Sequence, residues 1–397
     1  MANIFIAFYN GIMDREHPNV VPIFYEGFIA GLDKAGNQVY VVTCPFFGMD
    51  FGEIDEELKR QIKGFAPDIC FLFNNCFYDL SDIVDCPIII YEVDSPVYFS
   101  NKENLRSKPE RYLYFVGQSG SRDTICQMYG VSPQRVFHMP LFTEICAEDM
   151  EQTINISFIG SKLEPNPKFL TDRFGRMQPN REEREMYCRC VEEIQKNPQI
   201  TAEELIYHLQ IMSEKVAVCL VIPEILMYLS DEKRIHVLSA LVDMGLELYG
   251  TTSWREEYYY DYRLNLAYNG KVYSLAENQK IYNSSKIGIN ISHVQAVSGF
   301  PWRVMDIMAS NACLVTDYHS DFDRLFPGLK LPIYHSEYEA REICQSLLKD
   351  ESRRKEIVAQ CREVIDKKYR FKHLLKRMEE CSGVIMSETV AQGDFKE

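Results

Sequence analysis

The sequence contains no uninterrupted apolar run of the roughly 18 residues that a membrane-spanning helix requires. It also starts without a basic leader and cleavage site, since Met1–Phe8 is a short strand-like run. Positive charge is scarce, because 43 Lys and Arg stand against 58 Asp and Glu, for a formal net charge of −15. Nucleic-acid affinity depends on Lys and Arg that neutralise phosphates, so this balance argues against a nucleic-acid partner. We expect a cytoplasmic protein without a transmembrane segment.

Paired cysteine motifs are missing as well. The 13 cysteines are scattered, and several lie in apolar runs such as Asp68–Phe73, which predicts buried, reduced thiols. Cys188 and Cys190 have His208 nearby, but their spacing is not Cys-x2-Cys and no second pair follows. The sequence Asp321-Phe-Asp323 falls in a loop after a predicted strand, and we interpret it as structural. We therefore predict no bound metal and no cofactor.

The length of 397 residues favours two domains. Strand-like and helix-like segments alternate through residues 1–150, which predicts a parallel sheet. The pattern restarts at Ile154–Ile159, and a second domain is predicted for residues 151–370. Its further predicted strands are Leu246–Tyr249, Val272–Tyr273, Ile287–Ile291 and Ala312–Thr316.

Helical periodicity in Arg181–Met244 predicts a helical insertion in the second domain, at about residues 165–244. Residues 371–397 are predicted to form a C-terminal helix and tail. The predicted fold class is α/β, with two Rossmann-like doubly wound domains facing a central cleft.

A strand, a loop and a helix follow one another between Ile281 and Asp317. Ser298 and Gly299 lie in the loop, and helix N-terminal amides after it are suited to a diphosphate. Arg303 in the first turn can add donors to phosphate oxygens. Asp306, on the same helical face, can accept hydrogen bonds from ribose hydroxyls or form an i,i+3 ion pair with Arg303. The residues alone favour these two interpretations equally.

This stretch resembles the donor-binding domain of the CgeB-like (spore-maturation-type) glycosyltransferases, in the glycosyltransferase group 1 lineage. The resemblance covers about residues 280–378 and rests on the segments YNSSKIGINIS, RVMDIMASNACLVTD, DFDRLFP and KKYRFKHLLKRM. It implies a GT-B fold, a nucleoside-diphosphate sugar as donor, and Asp306 as the acid that binds the donor ribose. Many retaining relatives carry a second glutamate eight positions earlier, where this sequence has Ser298, so the stereochemical outcome stays open.

The turn after Ile154–Ile159 supplies two further candidate donor contacts. Gly160 allows close approach of the backbone to a ligand, and Lys162 is a candidate phosphate contact. The resemblance implies that this turn lies beneath the donor diphosphate, whereas in isolation Lys162 is typical of a solvated strand end. Tyr249 and Trp254 either flank the nucleoside base or fill the core.

Three segments of the first domain supply candidate catalytic and acceptor-binding residues. Asp94, after the strand in PIIIYEVDSP, is either a general base for an acceptor hydroxyl or an Asx turn before Pro96. The loop after the first strand contains Asp14, a candidate acceptor contact, and His17, a candidate catalytic group. Gln118 follows another strand and is predicted to line the acceptor side.

Together these residues predict a metal-independent glycosyltransferase. It would move a sugar from a nucleoside-diphosphate sugar to a hydroxyl of a glycan, polysaccharide or glycoprotein, with electrostatic stabilisation of the leaving diphosphate. Two alternatives stay open: a nucleotide-sugar epimerase of the same fold, and a non-catalytic nucleotide-sugar binding protein. The sequence does not specify the donor sugar, the base, the acceptor or the oligomeric state.

Overall fold

The computed structural model describes residues 1–10, 20–44, 56–139, 141–163, 181–197, 200–210, 218–250, 252–257 and 260–387. The chain divides into two compact units. The first comprises Met1–Glu144 together with Lys368–Glu397, and the second comprises Ile145–Lys367.

The first unit is built on a six-stranded sheet. Its strands are β1 (Asn3–Tyr9), β2 (Gln38–Cys44), β3 (Ile69–Phe73), β4 (Ile88–Tyr91), β5 (Tyr112–Val116) and β6 (Val136–His138), and its first helices are α1 (Ile23–Lys34), α2 (Glu56–Phe65), α3 (Lys102–Ser107) and α4 (Ser121–Tyr129). Neighbouring strands are parallel, in the order β2-β1-β3-β4-β5-β6. Strands β3 and β4 are buried along their whole length, as expected for central parallel strands.

The second unit contains another six-stranded parallel sheet. Its strands are β7 (Ile154–Ile159), β8 (Leu246–Tyr249), β9 (Tyr268–Gly270), β10 (Ser285–Asn290), β11 (Cys313–Asp317) and β12 (Ile333–Tyr334). Its helices are α5 (Arg181–Lys196), α6 (Ala202–Gln210), α7 (Val218–Ser239), α8 (Tyr262–Ala267), α9 (Leu275–Asn283), α10 (Arg303–Ala309), α11 (Asp321–Leu325), α12 (Glu337–Lys349) and α13 (Glu351–Lys368). The strand order is β12-β11-β10-β7-β8-β9. Two parallel sheets with helices confirm the predicted α/β class.

The predicted strand Val272–Tyr273 is wrong. The strand of this region is β9, and it ends at Gly270, whose φ of 137° is a conformation that side-chain-bearing residues rarely adopt. Ser274 then caps α9 by accepting a hydrogen bond from the amide of Glu277. Val272 and Tyr273 therefore belong to a short connection between a strand end and a helix cap.

The C-terminal helix α14 (Phe371–Ser382) is part of the first unit, although it follows the second along the chain. The ring of Phe371 packs against Phe28 and Phe142, with centroid distances of 6.0 and 5.1 Å. A Cβ on Gly31 of α1 would lie 2.6 Å from the Phe371 ring. Glycine at position 31 is therefore what allows this aromatic contact.

Helix α7 is the longest helix, with 22 residues, among those that the structure describes. Its final turns carry the charged residues Asp231, Glu232, Lys233 and Arg234. Across the same described segments, no helix has both the length and the apolar character needed to cross a bilayer.

The turns after β7 and β8 meet at Gly160 and Gly250. A Cβ on Gly250, whose φ is 136°, would lie 2.3 Å from the carbonyl oxygen of Gly160. Gly270 has nearly the same φ, 137°, but a Cβ there would meet nothing within 4 Å. An alanine at position 270 would therefore meet only the cost of the backbone conformation, whereas an alanine at position 250 would also meet the cost of the steric clash.

We predict that Gly250→Ala lowers the free energy of unfolding more than Gly270→Ala does. Both variants adopt a disfavoured φ, which costs about 1–3 kcal/mol. Gly250→Ala adds a backbone clash that costs about 1–3 kcal/mol more. Urea unfolding of the two variants and the wild type measures the difference, and equal losses would contradict the close approach at Gly160.

Candidate functional site

The predicted donor-binding residues of the second unit lie at one edge of its sheet. Strands β7, β10 and β11 are neighbours and run parallel, so their carboxyl ends share that edge. In doubly wound sheets ligands bind outside the carboxyl ends of the strands. Gly160 and Lys162 follow β7, while Ser298, Gly299, Arg303 and Asp306 belong to the loop after β10 or to α10. Two segments far apart in sequence are thereby brought to one edge.

The Gly160 turn is packed tightly on every side. Its amide donates to the carbonyl of Tyr249 at 2.9 Å, and the indole Nε1 of Trp254 donates to its carbonyl at 2.8 Å. A Cβ at position 160 would lie 2.8 Å from the Phe158 ring and 3.1 Å from Nη2 of Arg303. Trp254 is fully buried, so it fills the core and does not flank a base.

Arg303 turns its guanidinium toward the ends of β7 and β10. Its Nη1 donates to the carbonyl of Ile291 at 3.1 Å, and its guanidinium carbon lies 5.0 Å from the centroid of the Phe158 ring. Burial lowers the pKa of Arg303, although Tyr282 and Asp317 oppose that shift. Arg303 forms no ion pair with any residue that the structure describes, so the i,i+3 pair with Asp306 is not formed.

The loop before α10 and the first turn of α10 are internally bonded. The amides of Val304 and Met305 donate to the carbonyls of Pro301 and Trp302 at 3.1 and 2.9 Å. These two amides are therefore not available to a phosphate. Any phosphate contact in this segment has to come from residues that precede Val304. The carbonyl of Ser298 accepts a hydrogen bond from the amide of Asp321 at 2.9 Å. Asp306 is only 3% exposed.

Lys162 is held by an acidic residue that the sequence did not indicate. Its Nζ lies 2.7 Å from Oε2 of Glu257, and the side chains are 16% and 1% exposed. The next amide, that of Leu163, donates to Asp231 of α7 at 3.0 Å. Burial raises the pKa of Asp231 to about 6, with Lys162 and this hydrogen bond acting in the opposite direction. The turn after β7 is thus tied both to Glu257 and to α7.

Asp317, at the end of β11, is a buried ionised carboxylate. It accepts from Nζ of Lys233 at 2.6 Å and from the hydroxyl of Ser292 at 3.0 Å. Burial raises its pKa, but the nearby Lys233 and His319 outweigh burial and hold the pKa of Asp317 well below its usual range. Lys233, Asp317 and His319 also line a pocket of about 280 Å³.

Arg234 of α7 is a residue that the sequence analysis missed. It is 5% exposed, and its Nη1 donates to the carbonyl of Ser161 at 2.6 Å. Burial and the neighbouring Arg303 lower the pKa of Arg234 to about 9. Burial, Arg234 and Lys233 likewise lower the pKa of His293 to about 3. No motif surrounds Arg234, so the sequence carried no local signal for its place at this edge.

In the first unit, Asp94 is oriented by Asn74. The side-chain amide of Asn74 donates to Oδ2 of Asp94 at 2.9 Å, and its carbonyl oxygen accepts from the amides of Val93 and Asp94. Asn74 is 3% exposed and follows β3 with a φ of 52°. After burial, Asp94 is the largest influence that raises the pKa of Tyr25. The predicted general base therefore has a fixed amide partner.

Gln118 lies in a turn that binds a buried carboxylate. Oε2 of Glu92 accepts from the amides of Gly117 and Gln118 at 2.9 and 3.2 Å, and Oε1 accepts from the hydroxyl of Ser121 at the start of α4. The side chain of Glu92 is only 4% exposed. The backbone amide of Gln118 is thus used internally.

Two predicted residues, Asp14 and His17, lie outside the described residues. Within the described ranges, no group of three or more His, Cys, Asp or Glu residues is placed to hold a metal ion. Asp323 accepts a hydrogen bond from the Tyr318 hydroxyl at 2.9 Å, and the amide of Asp321 bonds to Ser298. Both contacts fit the structural interpretation of Asp321-Phe-Asp323.

Comparison with known proteins finds a family match in the second half of the chain. Residues 232–380 match a protein family described as "Glycosyl transferase-like". This range contains β8 to β12, Arg303 and Asp306. The match thus covers the C-terminal part of the second unit and extends into α14 of the first. A search of the curated proteins found no significant match.

Several solved glycosyltransferases have a fold similar to that of this chain. The Anabaena Alr3699/HepE complex with UDP-glucose superimposes with a TM-score of 0.57 at 10% identity, over 95% of this chain and 98% of that one. The T4 phage BGT complex with UDP and Mn²⁺ gives 0.52 at 11%, over 96% and 99%. WaaG, a glycosyltransferase involved in lipopolysaccharide biosynthesis, gives 0.52 at 8%, over 96% and 100%. At these identities the similarity establishes the fold, which is GT-B as predicted.

We predict that Asp317→Asn lowers the free energy of unfolding at neutral pH by about 2 kcal/mol, because Lys233 loses its counter-ion. The effect is smaller than for a fully buried pair, since the Lys233 side chain is 33% exposed. A lowered folded-state pKa stabilises the protein fully above the unfolded-state value of about 3.9, and this stabilisation is lost as the pH falls below it.

Urea unfolding of the wild type and Asp317→Asn across the acidic pH range measures this difference. The gap between the two is expected to stay constant down to about pH 4 and to shrink below it. Asp323→Asn is the matched control, since Asp323 is exposed. A pH-independent gap at all values would contradict an ionised, buried Asp317.

Proposed function

We propose that the protein is a glycosyltransferase that moves a sugar from a UDP-sugar to a hydroxyl group of a glycan, polysaccharide or glycoprotein. UDP is proposed as the nucleotide because the Anabaena HepE and T4 phage structures were determined with UDP or UDP-glucose. The proposal draws on the glycosyl transferase-like match over residues 232–380, which includes one of the two donor segments.

The contact between Arg303 and the Gly160 turn carries the proposal. Nη2 of Arg303 would be 3.1 Å from a Cβ at position 160, so a guanidinium lies directly against the turn that follows β7. Position 160 has no side chain, so the guanidinium of Arg303 lies against the backbone of this turn, at the edge where ligands bind. Such preorganised donors suit a diphosphate, whose charge increases as the sugar leaves.

In the proposed site each donor-binding residue has a separate role. Gly160, Lys162 and Arg303 bind the diphosphate, and Ser298 and Gly299 contact the donor from the loop after β10. Asp306 binds the ribose hydroxyls from α10. Because side-chain cations offset the charge of the leaving diphosphate, we also propose that transfer requires no metal ion.

On the acceptor side, Asp94 is proposed as the general base, with Asn74 fixing the direction of its carboxylate. A base must lie within hydrogen-bond reach of the hydroxyl that it deprotonates, so a fixed carboxylate favours transfer. Gln118 and Asp14 are proposed acceptor contacts, and His17 is a second catalytic candidate.

The CgeB-like subtype and a cytoplasmic location complete the proposal. Residues 280–378 carry the segments that resemble the CgeB-like enzymes. The sulfurs of Cys70 and Cys86 lie 3.6 Å apart without a bond between them, which fits a reducing compartment.

The first test is UDP binding by calorimetry, with and without EDTA. We expect wild-type protein to bind UDP equally well in both, and Asp306→Asn to bind it about 10- to 100-fold more weakly, since it loses charge-assisted hydrogen bonds to ribose. Asp323→Asn, at an exposed carboxylate, is the control and should bind like wild type. An unchanged dissociation constant for Asp306→Asn would overturn the ribose assignment. A requirement for added Mn²⁺ would overturn metal independence for donor binding.

The second test concerns Asp94 and turnover. In a panel of UDP-sugars without acceptor, slow release of UDP is expected from a transferase, whereas an epimerase changes the sugar and a binding protein leaves it intact. Asp94→Asn should slow UDP release by about 10² to 10⁴-fold with UDP affinity retained, because only proton transfer is lost. Asp85→Asn, at an exposed position, is the control. Equal rates of UDP release by Asp94→Asn and Asp85→Asn would exclude Asp94 as the general base.

A further inference from the structure

Arg234 is buried, and the N–H group of its Nε atom has no acceptor among the described residues. Only 5% of the residue is exposed, and Nη1 is bonded to the carbonyl of Ser161. The Nε–H group is buried from solvent and has no hydrogen-bond partner among the residues that the structure describes. An unsatisfied buried donor on a charged group destabilises the folded protein, so its position calls for a physical reason.

A second guanidinium shares the same surroundings. The guanidinium carbons of Arg234 and Arg303 lie 5.9 and 5.0 Å from the centroid of the Phe158 ring. The two groups are close enough for Arg303 to lower the pKa of Arg234, an effect second only to burial. Two like charges in a partly dry site repel each other, and an anion bound between or beside them relieves that repulsion.

The acidic residues nearby are already engaged with lysines or amides. Asp317 pairs with Lys233, Glu257 pairs with Lys162, and Asp231 accepts from the amide of Leu163. Among residues with described positions, neither Arg234 nor Arg303 takes part in an ion pair. Lys162 and Lys233 thus each have an acidic partner. Among the described residues, the two arginines have none.

We propose that Arg234 is a phosphate-binding residue of the donor site, delivered by the helical insertion. This inference rests on the proposed function. Arg234 and Arg303 together contact the diphosphate of the bound UDP-sugar, and Nε of Arg234 gains an oxygen acceptor when it binds. A diphosphate suits two guanidinium groups because it offers several oxygens and more than one negative charge.

The test compares UDP, inorganic pyrophosphate and uridine as probes. Arg234→Gln should weaken UDP binding about 10- to 100-fold and leave uridine binding unchanged, because only the phosphates contact Arg234. In wild type, pyrophosphate should raise the melting temperature, and in Arg234→Gln this rise should disappear. Arg354→Gln is the matched control, since Arg354 is also buried at 6% exposure and donates to backbone carbonyls, those of Leu347 and Leu348.

Each outcome decides the proposal. If wild type binds UDP and Arg234→Gln binds it equally well, the role of Arg234 is refuted while the proposed function stands. If wild type binds neither UDP nor UDP-sugars, both fail together. Should Arg234→Gln not fold, Arg234→Lys takes its place: the lysine keeps the charge but loses the guanidinium fork, and an unchanged UDP-to-uridine affinity ratio in it would overturn the proposal.

Discussion

Four side chains near the end of α7 hold the loops that leave the edge of the second sheet. Ser230 accepts from the amide of Val294, Asp231 accepts from that of Leu163, Lys233 pairs with Asp317, and Arg234 donates to the carbonyl of Ser161. These contacts reach the loops after β10 and β7 and the last residue of β11. The turn after β7 and the loop after β10 are thus both tied to α7, which contributes side chains to the candidate site.

The charges at this edge fall into two groups with different physical roles. Lys162 and Lys233 each pair with a buried carboxylate, which fixes the position of the ammonium group. Arg303 and Arg234 instead bond to backbone carbonyls, which satisfies donors without cancelling charge. Since Arg keeps its charge when buried far better than Lys does, a dry site that must attract an anion is better served by arginine.

The sequence allowed the two parallel sheets to be predicted, because apolar runs are local signals. The location of the donor segments was inferred from strand-end glycines and a family resemblance, and it stays a prediction. Strand β9 was misplaced, since Gly270 ends it at a φ that residue type alone does not reveal. Arg234 was missed for a different reason: its neighbours Ser161 and Arg303 are distant in sequence, and no motif marks long-range proximity. The ion pair of Lys162 with Glu257 is likewise a tertiary contact that local pattern does not encode.

The turn between β5 and α4 in the first unit resembles the phosphate-binding corners of other doubly wound sheets, with a strand, a Gly-containing turn and a helix start. Here Glu92 supplies the anion itself, since its carboxylate takes the amides of Gly117 and Gln118 and the hydroxyl of Ser121. A nucleotide phosphate could bind these donors only by displacing the buried side chain of Glu92. The donors of this corner are therefore already used by a carboxylate of the chain itself, which disfavours phosphate binding at this edge of the first sheet.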